Sequence, residues 1–219
     1  MCLGFKKHIN RQSTLENVRD SVRHKLHAQN PTQFPYGTRG TSVAALASSI
    51  LSPKECVAIS VPKCTKCEYA EPAMDDRLGF VLHENGGLPK STSNCLKSLE
   101  HETHENCPHC FAGLRQPIAF KIVPNLLIFK INSNNVKISK TIKFVQGNET
   151  IILNIRGLIY YGKFHFASHI IGSEGDVWYH DGITTGSTCE NEGHIETFSK
   201  NKLKTCKRKK LVLAVYAKV

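Results

Sequence analysis

The sequence has no apolar run long enough to cross a bilayer as a helix. Its longest apolar run near the C-terminus, LVLAVYA, is far too short for that role. The N-terminus, MCLGFKKHINRQ, also lacks the apolar core of a signal peptide. We therefore expect neither a membrane-spanning helix nor a secretory leader, and the pattern predicts an intracellular protein, either cytoplasmic or nuclear.

Acidic residues are comparatively few: 18 Asp and Glu stand against 29 Lys and Arg, which gives a formal net charge of +11. Such an excess could attract an anionic partner, for example nucleic acid. Excess charge is more often typical of a solvated surface, so nucleic acid is not the expected partner. The length of 219 residues and the hydrophobic content of 40% suit one packed domain, or a domain with a subdomain, and argue against disorder.

Helical patterns occupy the N-terminal part of the chain. Ser13 opens a capping-box signature, STLE, and apolar residues follow at helical spacing until Asn30-Pro31 stops the run. A second short helix is predicted to begin at a cap on Thr41 or Ser42. The N-terminal part is therefore expected to be helical.

From about residue 115 the pattern changes to β. Branched and aromatic residues dominate several short segments, IAFKIV, LLIFKI, ISKTIKFV, TIILNI, LIYYG and LVLAVYAKV. Between the helical and β regions lies a cysteine-bearing section whose middle, ENGGLPKSTSN, has the composition of a loop. This order predicts an α+β fold in three parts, with helical residues 1–55, a metal-binding section 56–115 and a β region 116–219.

The sequence contains nine cysteines. Without a signal peptide their thiols are expected to stay reduced, so paired spacings indicate metal sites before disulfides. Cys64 and Cys67 form one C-x-x-C knuckle, and Cys107 and Cys110 form a second. Four thiolates saturate a zinc ion and leave no open position, so the two knuckles predict one structural zinc site.

Other side chains near the second knuckle could replace one of these ligands: His101, His104, His109 and Cys95. We favour the four cysteines because only they offer paired thiolates. The remaining cysteines that the analysis considers have no partner spacing and are expected to be small buried or surface residues: Cys56, Cys189 and Cys206.

The stretch FHFASHIIGSEGDVWYHDG places His165 and Asp181 symmetrically about a glycine-bearing turn, with the only tryptophan, Trp178, between them. A hairpin centred on residue 173 would set the two Cβ atoms about 5 Å apart. The carboxylate could then fix the imidazole tautomer and leave the other ring nitrogen to accept a proton from a nucleophile. The alternative is a surface His–Asp pair that stabilises the hairpin.

A longer stretch, IRGLIYYGKFHFASHIIGSEGDVWYHDG, resembles the histidine box of ubiquitin-specific cysteine proteases, in which a strand leads to G-H-Y, a turn, a tryptophan and an acidic residue. Residues 123–130, VPNLLIFK, resemble the L-P-x-x-L-x-x-x-L-K strand of that family, and KLVLAVYAKV resembles its closing strand. The knuckles occupy the place of its zinc-bearing fingers. The resemblance extends over residues 41–219.

The resemblance implies a papain-like fold with an incomplete helical thumb over residues 1–55, zinc-bearing fingers over 56–115 and an antiparallel β palm over 116–219. It also implies a thiol isopeptidase that cleaves after the C-terminal Gly-Gly of ubiquitin or a ubiquitin-like modifier. By resemblance, His165 is the general base and Asp181 its orienting partner. The SUMO-directed branch of the superfamily has the same order of motifs, so the modifier stays open.

The sequence departs from this family pattern in the residues that supply the nucleophile. No segment matches the family's cysteine box, and Cys2, in MCLGF, lacks its asparagines and glycine. Phe164 also stands where the family has glycine, and Phe166 where it has tyrosine. We therefore expect no useful hydrolysis by the chain as written, which is interpreted as a truncated or degenerate copy of the domain.

Two further hypotheses come from other functional classes. One is a pseudoenzyme that binds the modifier and its conjugates without hydrolysis. The other is a zinc-ribbon protein that binds nucleic acid, which the basic run over residues 200–210 suggests. That run lacks interleaved aromatic residues and directly precedes a predicted strand, so a charged palm loop explains it equally well.

Overall fold

Two helices form the first of two units in the computed structural model, which describes residues 15–37, 40–51, 56–76, 81–82, 91–95, 99–101, 103–131, 135–146, 148–186 and 188–218. Helix α1 spans Leu15–Gln29 and helix α2 spans Val43–Leu51. α1 ends just before Asn30-Pro31, as predicted. Ser42, rather than Thr41, caps α2, because its hydroxyl accepts a 3.5 Å hydrogen bond from the Ala45 N–H. Ser13 lies outside the described residues.

The second unit, within residues 52–219, is built on two β-sheets. The smaller sheet contains β1 (Ala58–Ser60), β2 (Lys63–Cys64), β3 (Met74–Asp76), β5 (Glu100–His101) and β6 (Leu114–Phe120). The larger sheet contains β4 (Val81–Leu82), β7 (Leu126–Lys130), β8 (Thr141–Gln146), β9 (Glu149–Gly162), β10 (His165–Ile171), β11 (Asp176–His180), β12 (Glu190–His194), β13 (Thr205–Cys206) and β14 (Lys209–Lys218).

The strands of both sheets are mostly antiparallel. The smaller sheet has the order β2-β6-β1-β3, and β5 also pairs with β6. The larger sheet has the order β12-β11-β10-β9-β14-β7-β4, with β8 on β9 and β13 on β14. Only the β4–β7 pair is parallel among the strands that the structure describes. Three short helical segments complete the unit, α3 (Thr92–Cys95), a 3₁₀ turn (Ile195–Thr197) and α4 (Lys200–Lys204). The predicted α+β class is confirmed.

β9 is one long strand, although the sequence pattern divides it into two segments at Arg156-Gly157. The register between β9 and β14 shifts there, because Gly157 pairs with Val215 while Ile155 pairs with Tyr216. This bulge adds one residue to β9. Buried side chains therefore change from odd to even positions along the strand, and the core face is kept throughout: Leu153, Ile155, Leu158 and Tyr160.

The segment ENGGLPKSTSN, predicted to be a loop, ends in the short helix α3. Thr92 at its start is fully buried, and its hydroxyl lies 2.9 Å from the Tyr216 hydroxyl of β14. This buried contact fixes a helical turn that composition alone does not indicate. Residues 83–90 of the same region lie outside the described part of the chain. Among the described helices, none has the length and apolarity that a bilayer crossing requires.

The β10–β11 hairpin closes one position later than the sequence suggests. Gly172 and Asp176 pair through a 2.9 Å backbone hydrogen bond, which leaves a three-residue loop over residues 173–175. Gly175 ends this loop at φ +95°, in the left-handed region that favours glycine. An added Cβ at Gly175 would also lie 2.3 Å from His194 Nε2.

Gly175→Ala is expected to lower the free energy of unfolding by about 1–3 kcal/mol, because it strains the backbone and collides with His194. Urea denaturation monitored by circular dichroism measures this change. Gly186→Ala is the matched control: Gly186 also has a positive φ, +60°, but an added Cβ there meets nothing within 4 Å. Equal losses in the two variants would show that the His194 contact contributes nothing.

Candidate metal centre and His–Asp site

Strand pairing brings the two cysteine knuckles together. β2 pairs with β6 at Lys63–Arg115 and Cys64–Leu114, so the first knuckle, which follows β2, faces the second, which precedes β6. Backbone hydrogen bonds shape both turns, from the Cys64 N–H to the Tyr69 carbonyl at 2.9 Å and from the Cys107 N–H to the Ala112 carbonyl at 2.7 Å. Residues far apart in sequence thus share one site.

The four knuckle sulfurs, those of Cys64, Cys67, Cys107 and Cys110, all lie within 4.8 Å of one another. The shorter separations are 3.4 Å for Cys64–Cys110, 3.6 Å for Cys67–Cys107 and 3.7 Å for Cys67–Cys110. A tetrahedral zinc site with zinc–sulfur bonds of 2.3 Å has sulfur–sulfur edges of about 3.8 Å. The sulfurs are therefore spaced to hold a tetrahedral metal ion.

Backbone N–H groups point at the cysteine sulfurs, as they would to stabilise thiolates. Cys64 Sγ accepts hydrogen bonds from Lys66 N at 3.3 Å and Cys67 N at 3.4 Å, and Cys107 Sγ accepts one from His109 N at 3.4 Å. The bond from Lys66 is the main cause that lowers the pKa of Cys64 to about 6. The cluster is thus prepared to carry thiolate ligands.

The alternative ligands are not part of this cluster in the part of the chain that the structure describes. The metal-binding group contains four cysteines and no histidine. The His109 ring instead packs against Tyr69, with 4.9 Å between the ring centroids. The side chains of Cys95 and His101 lie outside the described set.

His165 and Asp181 meet, although not by the predicted direct pairing. The register of the hairpin, Ser168–His180 and Ile171–Val177, places Asp181 two positions from alignment with His165. The side chains bridge this diagonal, with His165 Nε2 2.6 Å from Asp181 Oδ1. The difference from the prediction arises because the loop centres on residue 174, since Gly175 occupies its left-handed position. Trp178 lies on β11, the strand that leads to Asp181.

Asp181 is almost completely buried, with 1% of its side chain exposed, and both carboxylate oxygens are satisfied. Oδ1 accepts the N–H groups of Ile183 and Thr184 at 3.0 and 3.3 Å in addition to His165. Oδ2 accepts Tyr179 Oη at 3.0 Å and Lys209 Nζ at 2.9 Å. Burial raises the pKa of Asp181, but the hydrogen bonds from Lys209 and His165 outweigh it and hold this pKa well below its usual range.

Tyr179 and Lys209 are parts of this site that sequence reasoning missed. Lys209 belongs to the basic run that was interpreted as a charged loop, but it is the first residue of β14 and only 14% of its side chain is exposed. The signal for Tyr179 was its position two residues before Asp181 on the same strand face. No sequence spacing connects Lys209 with Asp181, because the sheet alone brings β14 near the hairpin end.

This geometry fixes which imidazole nitrogen of His165 is available. With Nε2–H donated to the ionised carboxylate of Asp181, a neutral ring carries its lone pair on Nδ1. The His165 side chain is 27% exposed, so Nδ1 can be reached from outside. The pair can therefore orient a base toward a thiol or a water molecule.

None of the described cysteines contacts His165. Cys206 is buried and lies 3.6 Å from Nε2 of another histidine, His169, and burial raises the pKa of the Cys206 thiol to about 11. A thiol with that pKa stays protonated at neutral pH, whereas nucleophilic attack requires thiolate. Cys189 is exposed and has no contact with His165. Cys2 lies outside the described residues.

No protein-family model matches the chain, and no curated protein matches it either. Solved structures match its fold. The SAGA DUB module Ubp8/Sgf11/Sus1/Sgf73 bound to monoubiquitin aligns at a TM-score of 0.55 and 12% identity, over 97% of this chain and 51% of that chain. The module bound to ubiquitin aldehyde aligns at a TM-score of 0.52 and 12% identity, over 93% and 48%. A yeast SAGA DUB module aligns at 0.53 and 12%, over 93% and 49%.

These matches show the fold. The mixed α+β architecture with its four-cysteine cluster is similar to the fingers and palm region of Ubp8, a ubiquitin-specific protease. At 12% identity the likeness does not extend to activity. This chain spans about half the length of the solved chains that it matches.

Proposed function

We propose that this chain forms the fingers and palm of a ubiquitin-specific-protease-like domain that recognises ubiquitin or a ubiquitin-like modifier. Residues 56–115 act as zinc-bearing fingers, and residues 116–219 act as the palm. In a complete isopeptidase site of this kind, His165 is the general base and Asp181 holds it. Because the thiols must stay reduced to bind metal, the protein works in the cytoplasm or the nucleus.

One observation carries this proposal: His165 Nε2 lies 2.6 Å from a buried, fully hydrogen-bonded carboxylate on a fold that matches Ubp8. A surface His–Asp pair that only stabilised the hairpin would not need a carboxylate with 1% exposure and five donors. Burial of this kind is costly unless the geometry of the acceptor matters. The arrangement suits a carboxylate that fixes the orientation of a base.

The chain alone is proposed to bind the modifier without cleaving it. Isopeptide hydrolysis by this route begins when a thiolate attacks the carbonyl carbon, and His165 would accept the thiol proton and later donate it to the leaving amine. No thiol stands beside His165 in the described part of the chain. A base and its orienting partner cannot replace a nucleophile.

Zinc is the metal that the four-sulfur cluster fits best, because four thiolates in a tetrahedron are typical of structural zinc sites. Cys64, Cys67, Cys107 and Cys110 would hold it. The bound ion would neutralise thiolate charge and fix the fingers. It would take no part in the chemistry at His165, because four protein ligands leave no open position.

We expect measurable binding of ubiquitin or SUMO by isothermal titration and no turnover of their fluorogenic C-terminal amides. Each modifier is tested separately against the purified chain and against His165→Ala, a change that leaves the fingers intact. Turnover that disappears in His165→Ala would contradict the non-catalytic part of the proposal and reveal a nucleophile in the chain. Failure of both modifiers to bind would contradict modifier recognition itself.

Covalent labelling tests whether Cys2 is that nucleophile. A modifier with a C-terminal electrophile is expected to leave the chain unlabelled, as judged by intact mass. Labelling that maps to Cys2 and disappears in His165→Ala would show that Cys2 completes the site. Cys189→Ser serves as the control for reaction at an exposed thiol.

A further inference from the structure

Two hairpin turns of the larger sheet have the same unusual backbone. Lys163-Phe164 connects β9 to β10 in a two-residue loop, because Gly162 pairs with His165. Lys207-Arg208 connects β13 to β14 in the same way, because Cys206 pairs with Lys209. All four loop residues have positive φ angles, 54°, 59°, 44° and 67° in chain order.

These angles define type I′ turns, which strongly favour Asn-Gly and Gly-Gly. Side chains with a Cβ rarely adopt the left-handed region, and Phe164 and Arg208 are bulky examples. Both turns therefore carry residues that their backbone disfavours. When strained positions persist in adjacent elements, the side chains at those positions point to a function.

The two turns lie side by side at the end of the sheet where His165 begins β10. β9 and β14 are neighbours, and Lys210 pairs with Tyr161 just before the turns. An added Cβ at Gly162 would lie 3.3 Å from the Arg208 carbonyl oxygen. The four side chains of Lys163, Phe164, Arg208 and Lys210 are defined here as the twin-turn surface.

The charges of the twin-turn surface are not compensated within the described residues. The neighbouring Lys207 and Lys209 pair with Glu190 at 3.3 Å and Asp181 at 2.9 Å. By contrast, no described carboxylate lies within 4.0 Å of the cationic groups of the twin-turn surface. Phe164 is 96% exposed among them. Three cations thus surround a phenyl ring that packs against little of its own protein.

We propose that the twin-turn surface binds an acidic polypeptide segment that carries an apolar side chain. Carboxylates would pair with the three cations, and the apolar side chain would cover Phe164. A polypeptide fits better than nucleic acid, because nucleic-acid binding uses a longer track of phosphate contacts and successive aromatic platforms. Here the cations flank one exposed ring at the tip of two short turns.

The experiment uses substitutions that relieve the backbone strain, so that loss of binding cannot arise from misfolding. Phe164→Gly and Arg208→Gly each place glycine at a positive φ and are combined in one full-length variant. Lys143→Gln is the matched control, because Lys143 is an exposed lysine on β8 away from the turns. The probe is a fluorescein-labelled peptide of glutamate with a central leucine, measured by anisotropy against its glutamine counterpart and single-stranded DNA of equal length.

We expect the glycine variant to raise Tm by about 2–4 °C per site and to weaken binding of the acidic peptide by about tenfold or more. The Lys143→Gln control should retain its affinity, and the glutamine peptide should bind poorly to every variant. Unchanged peptide affinity in the glycine variant would overturn the proposal, as would a lower Tm, which would deny the strained turns. Tighter binding of DNA than of peptide would assign the surface to nucleic acid instead. A failure of ubiquitin or SUMO to bind would not affect any of these results.

Discussion

Cys107→Ser is expected to reduce bound zinc from about one equivalent to less than half and to unfold the fingers. Cys107 is fully buried, and its sulfur lies 3.6 Å from that of Cys67. A structural zinc site contributes its binding free energy directly to folding, with apparent values of about 10–16 kcal/mol in small zinc domains. Three thiolates and a hydroxyl bind zinc much more weakly than four thiolates.

Metal analysis of purified protein and limited proteolysis of the fingers measure these two effects. Cys189→Ser is the matched control, since it makes the same thiol-to-hydroxyl change at an exposed cysteine outside the cluster. The control should retain full zinc and wild-type proteolysis. Wild-type zinc content in Cys107→Ser would disprove the assignment of the ligands.

Asp181→Ala is expected to destabilise the second unit by about 3 kcal/mol or more, because it breaks a buried ion pair. The change leaves the Lys209 ammonium, which is 14% exposed, without its carboxylate partner. The Tyr179 hydroxyl and the N–H groups of Ile183 and Thr184 lose the same acceptor. Chemical denaturation measures the loss. Asp176→Asn, at an exposed aspartate on the same strand, should change stability by only a few tenths of a kcal/mol.

The contribution of Asp181 should also depend on pH in a defined direction. Its folded-state pKa lies below the usual value of an aspartate, about 3.9. Such a group contributes stability that is fully present above that usual value and is lost as pH falls toward the folded pKa. The difference in unfolding free energy between wild type and Asp181→Asn should therefore shrink from about pH 5 downward. A difference that grew on acidification would contradict an ionised, hydrogen-bonded carboxylate.

The sequence could predict the four-cysteine cluster and the contact of His165 with Asp181 because both depend on local spacing. A C-x-x-C knuckle places two sulfurs on one side of a turn, and a hairpin returns the chain to its own neighbourhood. The α+β order was readable for the same reason. Each of these features needs only residues that are close in sequence or a residue type with one dominant chemistry.

Features that depend on three-dimensional register could not be predicted. The two-position shift at Asp181 follows from the left-handed conformation of Gly175, and a turn pattern does not specify which glycine adopts it. The bulge at Gly157 keeps β9 continuous where the sequence suggests a break. Lys209 reaches Asp181 across the sheet from 28 positions away. Long-range pairing decides these contacts.

The position of β14 has a consequence for how the protein is made. It is the last strand in the sequence, yet it lies between β9 and β7 and pairs with both. Until residues 209–218 leave the ribosome, the inner edges of β9 and β7 have no partner. The palm must therefore fold late during synthesis, and in that interval these open apolar edges are where chaperones or unwanted strand pairing would act.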